Sequence, residues 1–148
     1  MIGVFSTQEE VGLRGAKVVA YKLKADYALA LESTAAADTP GTPEHETSTC
    51  LGKGPAITIA DRATISSPSL VRKLVEIAKA NNIPYQFKGR MVGGTDAAMY
   101  RYSAWGIPST TISIPARYIH SSLAVADISD IENALRLIAK FMESVSRA

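Results

Sequence analysis

Two adjacent carboxylates, Glu9 and Glu10, a third at Glu32, a fourth at Asp96 and an imidazole at His120 are the side chains best suited to acid–base or metal chemistry here. Oxygen and imidazole donors without thiolate suit a hard or borderline divalent ion such as Zn, Co or Mn, which acidifies a bound water at neutral pH. Neighbouring carboxylates can divide the work: with Glu10 holding metal, Glu9 stands one residue away as a general base. Each residue also has a plainer reading. A Glu-Glu pair ahead of a helix is favourable at the positive end of its dipole. A single His after a strand is often satisfied by ordinary polar contacts. Asp96, behind Gly93-Gly94-Thr95, serves equally well as a helix cap, and the glycines open backbone N–H groups to an anionic ligand. His45, between Glu44 and Glu46, reads as exposed, and Cys50 as a structural or surface thiol.

Other chemistries lack their motifs. There is no Gly-x-Ser-x-Gly elbow, no His-Glu-x-x-His and no paired-cysteine metal motif, and Gly52-Lys53-Gly54 is not a phosphate loop. The chain has 148 residues, 47% of them apolar, with 16 Lys+Arg against 14 Asp+Glu. That composition fits one folded domain and excludes a disordered chain. A single Cys cannot build a disulfide framework. No apolar run approaches the roughly 18 residues of a membrane span, and Met1 to Phe5 lacks the basic start of a secretory signal, so a cytoplasmic protein is expected. A net charge of +2 argues poorly for nucleic acid, because Lys17, Lys22 and Lys24 read as polar positions of a helix rather than a basic face.

The elements that must position these residues follow from apolar periodicity. Ile2–Ser6 reads as a short buried strand, Gly12–Ala25 as an amphipathic helix and Tyr27–Glu32 as a buried strand ending in a charge. Ser33–Gly54, with Pro40-Gly41 and Pro43, reads as a long loop. Further strands are expected at Ala56–Ala60, Pro84–Lys88 and Pro108–Pro115, and helices at Pro68–Asn81 and Gly94–Ala104. A last helix has Ser129 as N-cap and an inward stripe of Ile131, Leu135, Ile138, Met142 and Val145. Alternating strands and helices imply an α/β sheet with helices on both faces, and ligands gather at the carboxyl ends of its strands. Glu9-Glu10, Glu32, Asp96 and His120 all fall at such ends.

Five segments carry a family likeness: Val4 to Ala16 (containing Gln8-Glu9-Glu10-Val11-Gly12), Ala37 to His45, Leu51 to Pro55, Gly93 to Ala97 and Ile114 to Ser121. Together, and in order over nearly the whole chain, they resemble the tetrahedral aminopeptidases, the dinuclear metallopeptidases of peptidase family 42, often labelled endoglucanase or cellulase. The resemblance implies a three-layer α/β/α sandwich with a mixed, mainly parallel sheet. Residues 1–148 would then be the C-terminal portion of a catalytic domain, truncated at the N-terminus, with the N-terminal strands and an inserted oligomerisation domain absent. It implies two divalent ions that activate a water to remove the N-terminal residue of a peptide. Glu9 would be the general base, Glu10 and His120 ligands of one ion, and Glu32 a ligand of the other, where many members have Asp. Gly93, Gly94 and Thr95 would line the substrate side, although Val92 stands where relatives often have another glycine.

The family's His-x-Asp ligand and its metal-bridging Asp precede the Glu-Glu motif and are not in this chain. Three ligands of five remain, so the isolated chain is expected to bind metal weakly and to hydrolyse little. The alternative expectation is a non-catalytic remnant or partner-completed subunit that associates through an open sheet edge, or as a homo-oligomer. A glycoside hydrolase would need two carboxylates at a set separation and no metal.

Overall fold

The computed structural model describes residues 1–146. At the centre of its sheet is the strand Ser109–Arg117, here β4, whose β-branched run leaves seven of nine residues buried. It pairs in parallel with β1 (Ala28–Ala35), Ala28 opposite Ser109 and Glu32 opposite Ser113. On its other side it pairs antiparallel with β2 (Ala56–Ile57), which pairs in parallel with β3 (Gln86–Phe87). A two-residue strand, β5 (Val125–Ala126), adds antiparallel to the end of β4. The sheet is therefore mixed, and its longest pairing is parallel.

Because side chains alternate across a strand, β4 serves two different layers. Ile112 enters the main core with Ile57, Leu70, Leu74, Ala78, Leu137 and Phe141. Of these, Ile57 comes from β2 and the rest from α2 (Pro68–Ala80) and α4 (Ile128–Ser146). Thr111 faces the other way, toward α3 (Ala97–Arg101), and its hydroxyl meets that of Thr95 at 2.6 Å. Ala97 and Ala98 of α3 and Ala16 and Ala20 of α1 (Arg14–Lys22) are all buried, small residues that let the two helices approach closely. No helix among the described residues is long and apolar enough to cross a membrane.

Several elements depart from the sequence reading. Ile2–Ser6 is not a strand: residues 1–6 have no regular structure and Phe5 is fully exposed. A short apolar run becomes a strand only through ladder partners, and β1 pairs with β4 alone. Helix α1 starts at Arg14 rather than Gly12, because Gly12 (φ 117°) and Leu13 (φ 57°) are left-handed. Strand β1 continues beyond Glu32 to Ala35, where Ala36 N–H still reaches Ala116 O at 2.9 Å. Strand β2 stops at Ile57; Ala60 instead bridges Ile65 across a turn. Strand β3 and helix α3 are likewise shorter than expected, and β5 went unread. In α4 the capping carboxylate is Asp127, whose Oδ1 accepts Ser129 N–H at 2.8 Å and Ser129 Oγ–H at 2.6 Å. The buried face of α4 is Ala134, Leu137 and Phe141, whereas Leu135 is 63% exposed.

The long loop is firmly tethered. Arg117 grips Asp38 through two nitrogens at 2.7 and 3.1 Å, while Asp38 also accepts Leu51 N–H at 2.9 Å. The fully buried Asp130 accepts Gly52 and Gly54 N–H at 2.8 and 2.7 Å. Gln86 fastens the backbone of Cys50 in both directions.

Candidate active site

Glu9 and Glu10 ride on a tight loop between residues 7 and 13. Glu9 O accepts Gly12 and Leu13 N–H at 3.1 and 2.9 Å, and Gly15 N–H closes onto Thr7 O at 2.9 Å. A Cβ at Gly15 would lie 2.5 Å from Thr7 N, so only glycine permits this closure. The loop is tied to the glycine pair downstream, because Ser6 Oγ–H donates to Asp96 Oδ2.

His120 comes from the turn after β4, where it and Tyr118 both have φ 62°. Left-handed backbone at non-glycine residues is costly and marks sites where surrounding structure imposes it. Ser121 supplies part of that structure, its hydroxyl lying 2.6 Å from Tyr118 O and 2.7 Å from Leu123 O. The result brings His120 Nδ1 to 3.6 Å from Glu10 Oε2, with both side chains more than two-thirds exposed. The spacing exceeds a hydrogen bond and leaves both groups open to solvent.

Glu32 sits within β1, half-buried. Burial pushes its carboxyl up to about 7, opposed by the Lys88 ammonium and reinforced by the carboxylates of Glu9, Asp61 and Asp96. The Glu9 carboxyl is also raised, by burial first and then by Glu10 and Asp96, with His120 pulling it back. The structure therefore gathers Glu9, Glu32, Asp61 and Asp96 into one electronegative region, with Glu10 and His120 on its outer side.

The substrate-side glycines are placed less uniformly. Gly93 is exposed with φ 70°, and its carbonyl accepts Arg62 N–H at 2.9 Å. Gly94 lies against Ala63, whose Cβ would be 2.8 Å from a side chain added there. Thr95 points inward to Thr111 and is buried. Asp96 directly precedes α3 but makes no side-chain cap, leaving its Oδ1 buried with no partner. His45 is exposed, within a short 3-10 turn, and meets only Glu46, at 3.8 Å.

Two residues of this region went unread in the sequence. Asp61 is 7% exposed; its Oδ1 accepts Ala63 and Thr64 N–H, both at 2.7 Å, and its Oδ2 is buried without a partner. Lys88 is 9% exposed. Both follow strands, so the rule about carboxyl ends points at them, but nothing in their spacing separates them from surface charges.

The donor set fits hard or borderline cations. Burial first, and then the surrounding carboxylates, raise the Glu32 carboxyl to about 7, and Asp61 and Asp96 each keep a buried oxygen without a partner, so the region favours an added positive charge. The set is also sparse: among the described residues no three His, Cys, Asp or Glu side chains converge on one ion position.

The fold is that of the α/β aminopeptidases. An aminopeptidase from Desulfurococcus kamchatkensis superposes with a TM-score of 0.89 at 44% identity, over 92% of this chain and 39% of its own. The TET1 peptidase of Pyrococcus horikoshii, which can assemble into a tetrahedron or a large octahedral shell, superposes with a TM-score of 0.78 at 36% identity, over 93% and 39%. In sequence, the lysyl aminopeptidase of Pyrococcus furiosus is 32% identical over 96% of this chain and 40% of its own length. A family model described as M42 glutamyl aminopeptidase matches residues 1–137, and the chain belongs to that family. It spans about two-fifths of the length of the relatives it matches.

Proposed function

We propose that this chain provides the C-terminal part of a metal-dependent aminopeptidase catalytic domain, which removes N-terminal residues from peptides. The observation that carries this reading is the clustering of Glu10 and His120, 3.6 Å apart, beside a general-base candidate and a half-buried carboxylate. Glu10 and His120 would hold one divalent ion, Zn, Co or Mn, and Glu32 would contribute to a second. When bound, such ions supply a Lewis acid for the scissile carbonyl and acidify a water. Glu9 takes the proton of the attacking nucleophile and returns it to the leaving amine. Its affinity for protons, raised by burial and the neighbouring carboxylates, suits that exchange. The Gly93–Gly94 backbone lies beside the peptide.

Three ligands divided between two ions make a weak site, so strong metal binding requires groups from polypeptide outside these residues. The length of the relatives supports this, and the assembly of the Pyrococcus horikoshii protein supports a homo-oligomer. A cytoplasmic setting accords with the single free thiol, Cys50. The test is hydrolysis of aminoacyl-anilides and short peptides, with and without chelator, by the chain alone and by the chain joined to the segment of the Desulfurococcus kamchatkensis relative that it does not match. Chelator-sensitive hydrolysis confined to the joined protein is expected. Activity that ignores chelator, or hydrolysis of β-glucans instead of peptides, overturns the reading.

A further inference from the structure

Asp96 stands where a helix cap would, yet its side chain makes no hydrogen bond to the first turn of α3. One of its oxygens instead accepts the hydroxyl of Ser6, a residue from the opposite end of the sequence, and the other is buried without a partner. Both residues are half-buried, and each leads into a helix, Ser6 through the Glu9–Glu10 loop into α1 and Asp96 directly into α3.

The segment held by this bond has no other anchor of its kind. Residues 7–15 are folded on themselves, with Arg14 N–H donating to Gln8 O at 3.2 Å beside the closures onto Glu9 O and Thr7 O. Gln8 and Leu13, at φ 58° and 57°, complete a loop whose shape is fixed locally. Among the described residues no backbone hydrogen bond joins residues 1–13 to anything beyond α1, and the Ser6–Asp96 bond is the only side-chain hydrogen bond that does. The alanines between α1 and α3 set a close approach but give no directional contact, whereas a hydroxyl donating to a carboxylate is directional and strong. Local bonds thus give the loop its shape, and Ser6–Asp96 sets where that shape sits. Glu10 and His120 face each other at 3.6 Å from this loop and from the turn after β4, so a shift of the loop parts them.

We propose that Asp96 is a positioning residue: through the Ser6 hydroxyl it holds the Glu9–Glu10 loop so that Glu10 and His120 close on one ion. This rests on the metallo-aminopeptidase reading. The test is Co2+ titration of the purified chain followed by NMR of its two histidine rings, the exposed His45 reporting non-specific binding and His120 the site. Ser6→Ala, which changes no charge, is expected to weaken binding at His120 at least about tenfold. Ser6→Thr keeps the hydroxyl and should keep the affinity. Asp96→Asn retains an acceptor and should lose less than Asp96→Ala, and Ser6→Ala should add nothing on top of Asp96→Ala. Asp130→Ala, which lowers stability through Gly52 and Gly54, should leave the affinity unchanged. Parent-like affinity in Ser6→Ala, an equal loss in Ser6→Thr, or a loss that Asp130→Ala reproduces overturns the proposal alone, and these variants decide it even where Asp96→Ala does not fold. A loss confined to the Asp96 variants, equal for Asn and Ala, assigns Asp96 to direct attraction of the cation and overturns it too. No response of His120 in the parent chain overturns the metal reading and this proposal together.

Discussion

Replacing Glu32 by Gln should make the metal-free chain more stable at neutral pH. The Glu32 carboxyl, ordinarily near 4.5, is raised to about 7 in the fold. The folded state therefore holds this proton more tightly than the unfolded chain. Stability from this group is fully present below about pH 4.5, falls as pH rises to about 7, and is flat above. At about 1.4 kcal/mol per tenfold change in proton affinity, the ionised group costs at most about 3.5 kcal/mol above pH 7, and about half that with partial solvation. Glutamine keeps the shape and removes the charge. Urea denaturation in the presence of EDTA, from pH 4 to pH 8, isolates the effect as the difference between the two proteins, since all other titrations cancel. That difference should be near zero at pH 4 and reach roughly 1.7–3.5 kcal/mol in favour of the variant at pH 8. Added Zn2+ or Co2+ should then stabilise the parent more than the variant, which keeps only the Glu10–His120 site. A difference that is constant with pH, or that favours the parent at pH 8 without metal, refutes the reasoning.

Gly15→Ala places a Cβ 2.5 Å from Thr7 N and must open the loop that carries Glu9 and Glu10. It should lower stability by about 1–3 kcal/mol and metal affinity at least tenfold, read by denaturation and calorimetry on the folded variant. Asp130→Ala leaves the Gly52 and Gly54 N–H groups without their buried acceptor, a loss of about 2–4 kcal/mol measurable by urea titration. Asp38 is held below its ordinary 3.8, chiefly by its hydrogen bond from Arg117. Its stabilisation is therefore present above pH 4 and lost as pH falls through the depressed value. Asp38→Asn should melt below the parent at pH 7, and the gap should close as pH falls below 4 in a series of thermal scans.

How much of this was legible in the sequence depended on whether a signal was local. Helix α2, with Pro68 at its start and Leu70, Leu74 and Ala78 inward, is fixed by its own periodicity, and its limits came out as read apart from Asn81. The central strand is similarly clear from its β-branched residues. The α4 stripe was right for Ile138 and Val145, which pack against the core, and wrong for the exposed Ile131 and Leu135, because apolar residues occupy more than half of that helix and where β4 and α2 lie decides which are buried. Ile2–Ser6 has the composition of a strand but no ladder, a fact about its partners. The chemical residues followed the same division. Glu9, Glu10, Glu32 and His120 were reached from expected strand ends; Glu32 in fact lies inside β1 and no strand precedes Glu9, yet the structure brings Glu10 to His120. Asp61 and Lys88 are marked only by burial and by unmet charge, which exist in three dimensions alone.

The central claim is that Glu10 and His120 share a metal ion. Titrating Zn2+ or Co2+ into the purified, metal-stripped chain by calorimetry tests it most directly, with Glu10→Gln and His120→Ala alongside. Saturable binding, micromolar or weaker, that either substitution abolishes while the fold persists is the predicted result. Binding that both variants retain, or no binding to the parent chain at all, contradicts the account.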